Sequence, residues 1–253
     1  MLESCIRKKR QEKEILLMTH IVIGYPSFED SFQIVKEMVE AGVDLMELQI
    51  PFSEPIADGP VILKANQKSL ANGSTVQHCV DFAKQVVRSF DIPFLFMTYY
   101  NILFKYGIRS FASMMSDIGL HGVIVPDLPP EEGEEYLQAM GEKNLAPIFI
   151  FTPNTSDERM KKIAACGNGF IYCVARKGVT GSETTFTSEF HDYLERCRNA
   201  TTLPLALGFG VKDKADVDFL TGKVDIAVIG SETIRLVDQK GVEAVGDFVR
   251  GLR

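Results

Sequence analysis

Eight short apolar segments, separated by longer amphipathic stretches, constrain the fold of this chain more than any other feature. Each segment is apolar almost throughout, which is typical of a strand buried on both faces of a parallel sheet. The stretches between them carry apolar residues at helical spacing and often end at a glycine. The pattern therefore predicts repeated βα units. The expected strands are residues 16–24, 44–50, 94–100, 122–127, 146–151, 170–175, 204–209 and 225–230.

The length of the chain favours one closed barrel. At 253 residues it has the size of a single (β/α)8 barrel. We therefore expect an α/β chain that forms one TIM barrel domain over residues 1–253, with an extra N-terminal helix near residues 2–14. A doubly wound open sheet would give a similar pattern. Its usual glycine-rich fingerprint is missing, however, because the first strand ends in IGYPS.

Composition and charge argue against several classes of protein. Hydrophobic residues make up 45% and charged residues 24% of the chain, as in ordinary globular proteins. The net charge of -7, without a long basic run, argues against a nucleic-acid partner. No apolar run reaches the roughly 18 residues of a membrane span, and the first residues do not resemble a signal peptide. Five cysteines and four histidines are scattered without CxxC or metal-ligand spacing, so we expect a reduced, cytoplasmic protein without a metal.

The second expected strand carries a carboxylate in an otherwise apolar run. Glu47 shares a strand face with Leu45 and Gln49, opposite Met46 and Leu48, and one of these two sets must fill the barrel interior. A carboxyl group buried there can act as a proton donor near neutral pH, because burial penalises its charged form. A structural hydrogen bond would also explain the residue. The strand therefore offers Glu47 as a candidate acid.

A second candidate acid, Asp58, follows in the loop sequence IADGP. Asp-Gly is ordinary turn chemistry, so a structural role is an open alternative. Active sites of such barrels lie at the carboxyl ends of the strands, where both acids are expected. Two carboxyl groups in unlike surroundings can divide into a proton donor and an anion that stabilises developing positive charge.

Three glycine-rich segments follow the last three strands: RKGVTG, LGFGV and VIGSE. Glycines allow backbone amides to approach an anion, and the loops after strands seven and eight commonly bind phosphate in barrels. A helix that begins near Ser231 would add its amino-terminal dipole. The sequence therefore predicts a phosphorylated substrate.

The segments MELQIPFSEPIADGP, MTYYN, RKGVTG, GFGV and IGS, in this order, resemble the tryptophan synthase α subunit family. The resemblance implies a retro-aldol cleavage of indole-3-glycerol phosphate to indole and glyceraldehyde 3-phosphate, without a dissociable cofactor in this chain. It also implies that Glu47 is the general acid/base that protonates indole C3, and that Asp58 binds the indole N–H and stabilises its positive charge.

The same resemblance implies further site residues. Thr180 matches a loop threonine that orients the catalytic aspartate when the loop closes, and Tyr99 and Asp127 lie at matching strand exits. The residues that it assigns to the substrate and its phosphate are Tyr172, Gly181, Phe209, Gly210, Gly230 and Ser231.

A partner is implied as well. Family members work bound to a β subunit that uses pyridoxal phosphate, in an α2β2 heterotetramer. The resemblance places the contact surface at Pro51, Glu54 and Asn101. Aspartate is more usual at the position of Glu54.

Two departures from the family pattern concern the site itself. Gln49 stands where glycine is usual, and His20 where phenylalanine is usual. We expect Gln49 to intrude on the substrate space and His20 to replace an apolar wall with a titratable group. An alternative is therefore a catalytically weak subunit whose main task is to activate the β subunit. A third possibility, a phosphate-sugar isomerase barrel, would leave MELQIPFSEPIADGP unexplained.

Overall fold

Eight parallel strands form a closed barrel in the order of the sequence, from β1 next to β2 round to β8 next to β1. The computed structural model describes residues 1–174, 188–208 and 210–253. The predicted (β/α)8 fold is confirmed. The strands are β1 Leu16–Val22, β2 Leu45–Gln49, β3 Phe94–Met97, β4 Gly122–Ile124, β5 Ala146–Phe151, β6 Ile171–Val174, β7 Leu205–Gly208 and β8 Ile226–Ile229.

Helices surround this barrel and connect its strands. The helix after β1 begins where the Ser27 side chain accepts a hydrogen bond from the backbone N–H of Asp30, and it buries Ile34, Val35 and Met38. The helices are α1 Leu2–Glu12, α2 Phe28–Glu40, α3 Pro60–Ala71, α4 Val76–Ser89, α5 Tyr100–Tyr106, α6 Ile108–Ile118, α7 Glu134–Glu142, α8 Asp157–Cys166, α9 Ser188–Ala200, α10 Lys214–Leu220, α11 Ser231–Lys240 and α12 Ala244–Arg250, with a 3-10 turn at Pro130–Glu132.

All eight expected strands are present, but most end earlier than the sequence predicts. The first strand ends at Val22 and the third at Met97, although the apolar run continues to Ile23 and Tyr99. These further residues are also buried, because Ile23 packs in the outer core and Tyr99 in the cluster inside the barrel. Hydrophobicity therefore marks burial here and not the end of strand pairing.

The two faces of each strand lie in different cores. Outward side chains such as Met46 and Leu48 pack against the helices. Inward side chains such as Met18, Leu45 and Leu95 form a separate cluster inside the barrel. Glu47 and Gln49 alternate with Met46 and Leu48, so they face the interior. Alternation thus resolves the choice that the sequence left open.

Helix α1 closes the amino-terminal end of the barrel. Leu2 and Ile6 belong to the interior cluster and are almost fully buried. An ion pair between Lys13 and Asp44, with 2.5 Å from Nζ to Oδ1, fixes the chain that leaves this helix. The opposite end, where the strands terminate, is left for the site. Across the described residues, no helix is long and apolar enough to cross a membrane.

Candidate active site

His20 and Glu47 lie side by side inside the barrel mouth. They are register partners on β1 and β2, and Nδ1 of His20 is 3.0 Å from Oε1 of Glu47. Only 4% of either side chain is exposed. A carboxyl group so deeply buried needs a polar partner, and the imidazole supplies it. The acid that the sequence singled out is therefore held by a residue from the neighbouring strand.

Asp58 is held from two sides by hydrogen-bond donors. Nε2 of Gln49 donates to Oδ2 of Asp58 at 2.6 Å, and the Tyr99 hydroxyl donates to the same oxygen at 3.2 Å. The backbone N–H of Ala57 in turn donates to the Tyr99 oxygen at 3.1 Å. Because Glu47 and Gln49 share one strand face, the structure brings the two acids to the same end of the barrel.

The loop that carries Asp58 is fixed by contacts that could not be predicted from the loop sequence. The backbone N–H of Phe52 donates to Oδ1 of Asn66, which is fully buried in α3. The Phe52 ring stacks on Tyr99 at 5.0 Å between centroids. Sequence reasoning missed Asn66. The feature that could have indicated its role is a polar residue on the otherwise apolar face of α3, beside Ile62 and Ala65.

Hydrogen bonds, charges and burial shift the pKa values of two groups in the site, His20 and Asp58. Burial lowers the pKa of His20, but the hydrogen bond and charge of Glu47 and the charge of Asp58 outweigh burial and raise it above 6.5. Burial raises the pKa of Asp58 above its ordinary value, while the donors Gln49 and Tyr99 and the charge of His20 oppose this shift. Two atoms of these partners, Nε2 of His20 and Oε1 of Gln49, are buried without a protein hydrogen bond among the described residues.

Tyr172 enters the same space from β6. Burial raises its pKa well above the ordinary value, and the negative charges of Glu47 and Asp58 raise it further. Its ring lies against Gly208, where an added Cβ would come within 2.7 Å of the phenol. Sequence reasoning treated Gly208 only as part of a glycine-rich exit. A glycine within a strand often marks a place where another group comes close to the backbone, and here that group is the Tyr172 ring.

The described part of the expected phosphate site lies on the neighbouring exits of β7 and β8. Gly210 has a φ of +70°, and no heavy atom of the described residues that surround it lies within 4 Å of an added Cβ. A Cβ at Gly230 would lie 3.9 Å from that of His20. Helix α11 begins at Ser231, with Gly230 as its N-cap, as the sequence predicted. Thr180, Gly181 and Phe209 lie outside the described residues.

The other expected site residues take supporting or exposed positions. Oδ1 of Asp127 accepts a hydrogen bond from the backbone N–H of Tyr100, at 2.9 Å, and so holds the start of α5. Of the expected interface residues, Pro51 is buried, whereas Glu54 and Asn101 are exposed. Within the described ranges, no group of three or more His, Cys, Asp or Glu side chains could hold a metal ion.

Comparison with known proteins decides the family. The family model described as tryptophan synthase alpha chain matches residues 6–248. The chain belongs to the tryptophan synthase alpha chain family. It is 67% identical, over 252 residues, to the tryptophan synthase alpha chain of Desulforapulum autotrophicum, with 100% of both chains covered. The resemblance inferred from the sequence motifs is confirmed, and with it the activity of a carbon–carbon lyase that cleaves indole-3-glycerol phosphate.

Solved tryptophan synthase structures share the fold. A structure of Mycobacterium tuberculosis tryptophan synthase matches with a TM-score of 0.93 and 26% identity, covering 99% of this chain and 96% of that chain. The tryptophan synthase complex from Pyrococcus furiosus matches with a TM-score of 0.86 and 28% identity, covering 94% and 97%. These matches do not favour the alternative of a subunit that only activates its partner, and an isomerase barrel is set aside.

Proposed function

We propose that the chain cleaves indole-3-glycerol phosphate with Glu47 as its general acid/base and Asp58 as the anion that binds the indole N–H. The observation that carries this assignment is the pairing of the two acids at one barrel mouth. Glu47 is buried beside the imidazole of His20, whereas Asp58 is partly exposed and accepts hydrogen bonds from Gln49 and Tyr99. Unlike surroundings allow the two acids to divide their roles.

The proposed reaction moves one proton onto carbon and one off oxygen. Glu47 delivers a proton to C3 of the indole ring, and the ring nitrogen becomes positively charged. Asp58, ionised and held by two donors, stabilises this charge. The glycerol hydroxyl next to the ring then loses its proton to the Glu47 carboxylate and becomes the aldehyde. The electrons of the broken carbon–carbon bond return to the ring, so indole and glyceraldehyde 3-phosphate leave without net oxidation.

The phosphate of the substrate is assigned to the last strand exits. Gly210 and Gly230 let backbone amides come close to an anion, and α11 directs its amino terminus at the same place from Ser231. Tyr172 lines the space between this end and the acids. By resemblance, Gly181 and Phe209 complete the phosphate contacts, and Thr180 orients Asp58 when its loop closes.

We further propose that the chain forms one domain over residues 1–253 and docks on a β subunit in an α2β2 assembly that works in the cytoplasm. Pro51, Glu54 and Asn101 are the assigned contacts. Large exposed apolar side chains support this surface: Ile56, in the same loop as Glu54, is 74% exposed, and Phe104, one turn after Asn101, is 65% exposed. Pyridoxal phosphate belongs to the β subunit in this assignment. All five cysteines are free, which suits a reducing compartment.

One assay tests this proposal directly. Indole release from indole-3-glycerol phosphate is measured with the chain alone and with a tryptophan synthase β subunit. We expect cleavage that increases when the β subunit is added. Glu47→Gln should abolish cleavage, because it removes the proton donor and keeps the shape, while glycerol phosphate still binds. Cleavage by the Glu47→Gln variant would contradict the role of Glu47.

A further inference from the structure

The two residues that depart from the family pattern each contact one of the two acids. Nδ1 of His20 lies 3.0 Å from Oε1 of Glu47, and Nε2 of Gln49 donates to Oδ2 of Asp58 at 2.6 Å. His20 and Gln49 are themselves almost fully buried. Their polar atoms therefore face the carboxyl groups and not solvent.

The contact between His20 and Glu47 follows from the barrel register. The two residues are direct partners on adjacent parallel strands, so their side chains leave the sheet on the same face and at the same height. Both side chains are 4% exposed. A hydrogen bond between two such buried groups fixes the rotamers of both, because breaking it would leave two polar groups unpaired. Glu47 is held in one orientation by this bond.

His20 is also a titratable neighbour of both acids. Glu47 faces it from β2 and Asp58 from the following loop, and their negative charges raise its pKa against burial, which acts in the opposite direction. The other adjacent strand, β8, contributes Ile226–Ile229 and no titratable side chain. Across the barrel, the phenol of Tyr172 faces the same two acids. The charge of His20, in turn, lowers the pKa of Asp58.

We propose that His20 is a positioning residue for the cleavage reaction, which holds the Glu47 carboxyl group through Nδ1 and, when it is protonated, favours the ionised form of Asp58. This inference rests on the roles proposed above for the two acids. It assigns His20 a contribution to kcat that an apolar side chain at this place could not make. Glu47 begins each turnover protonated, gives this proton to C3 and regains one from the glycerol hydroxyl, so the cycle requires no proton from His20.

Two amide variants separate this role from a general structural one. The amide of His20→Asn can reach the position of Nδ1, whereas that of His20→Gln extends towards the position of Nε2. We expect His20→Phe and His20→Gln to lower kcat about 10- to 100-fold, the effect of a misplaced catalytic group, with little change in KM. His20→Asn should recover most of this loss at its optimal pH. His78→Asn, at an exposed histidine of α4, is the matched control and should behave as the parent.

The pH profile supplies the second readout. Asp58 must be ionised to stabilise the indole cation, and removal of the His20 charge raises the pKa of Asp58. The acidic limb of the kcat/KM profile should therefore move to higher pH in His20→Asn as well as in His20→Phe, although only His20→Asn recovers kcat. If these variants, assayed with a saturating β subunit, kept the parental kcat and pH profile, the inference would be overturned and the roles of the acids would stand.

An NMR titration tests the contact without relying on activity. The imidazole signal of His20 is assigned by its loss in the His20→Asn variant and is followed with pH in the full chain. We expect its midpoint to lie above 6.5 and to fall in Glu47→Gln, because the partner charge is removed. An unchanged midpoint in Glu47→Gln would overturn the inference even if cleavage were absent. If the parent failed to cleave while the midpoint still fell, the proposed function alone would fail.

Discussion

Gln49 donates a hydrogen bond from Nε2 to Oδ2 of Asp58 across 2.6 Å. The sequence predicted that Gln49 intrudes on the substrate space, and on that prediction a glycine at this position should help cleavage. The hydrogen bond supports the opposite result, since Asp58 would lose one of its two side-chain donors. The loss of one net hydrogen bond costs about 0.5–1.5 kcal/mol. We therefore expect Gln49→Leu and Gln49→Gly both to cleave more slowly than the parent in a steady-state assay with β subunit.

The two substitutions also separate a steric role of Gln49 from a hydrogen-bonding one. Leucine keeps the bulk and removes the donor, whereas glycine removes both. If Gln49→Gly, or its combination with His20→Phe, cleaves faster than the parent while Gln49→Leu does not, steric obstruction is the correct account. Equal losses in both variants support the hydrogen bond.

The hydroxyl of Tyr99 should set part of the pH dependence. Burial raises the pKa of Asp58, and the Tyr99 donor opposes this shift. In Tyr99→Phe the pKa of Asp58 rises further, so the acidic limb of the kcat/KM profile should move to higher pH. At the alkaline plateau the loss should stay within about tenfold, the value of one net hydrogen bond. The stacked contact with Phe52 is kept, and thermal melting checks that the loop remains folded. A profile identical to that of the parent would contradict the contact.

Gly210 should be required for phosphate binding. Its φ of +70° is strained for any other L residue, at a cost of about 1–2 kcal/mol. We expect Gly210→Ala to shift the loop and weaken the binding of glycerol 3-phosphate roughly tenfold, as measured by calorimetry. Gly241→Ala is the matched control, because Gly241 has a φ of +83° and, in the described part of the chain, no heavy atom lies within 4 Å of an added Cβ. Equal affinity in the two variants would move the phosphate site elsewhere.

His20 should make the stability of the folded chain depend on pH. Burial lowers the pKa of His20, but Glu47 and Asp58 together raise it above 6.5. The folded chain therefore binds this proton more tightly than the unfolded chain. The resulting stabilisation is fully present below pH 6.5 and is lost as the pH rises through the folded-state pKa.

Urea unfolding of the parent and of His20→Asn measures this effect. The difference between their unfolding free energies should be largest near about pH 5.5 and should shrink towards about pH 8.5. A difference that is constant with pH would mean that folding leaves the pKa of His20 unchanged, and would contradict the prediction.

The barrel was predictable because its strands are buried on both faces, and few folds besides a helix-covered parallel sheet can bury eight continuous apolar runs. The ends of the strands were less predictable. Ile50 follows the last paired residue of β2, yet it is as buried as the strand itself. Hydropathy cannot distinguish a residue within a strand from one that follows the strand and packs in the same outer core.

The site was predictable as residue types but not as contacts. Sequence alternation placed Glu47 and Gln49 on one face, and this is what the structure has. The partner of Glu47, however, depends on the register between β1 and β2, which no local pattern in either strand specifies. The same holds for Asn66, whose role depends on the path of a loop 14 residues before it.

The pairing of β1 with β8 has a consequence for how this chain is synthesised. His20 leaves the ribosome early, whereas Gly230, beside it in the finished barrel, is made more than 200 residues later. A nascent chain that lacks the last strand has both acids but neither Gly230 nor the start of α11. The catalytic carboxyl groups are therefore synthesised long before the residues assigned to phosphate binding. A prematurely terminated chain has an incomplete substrate site.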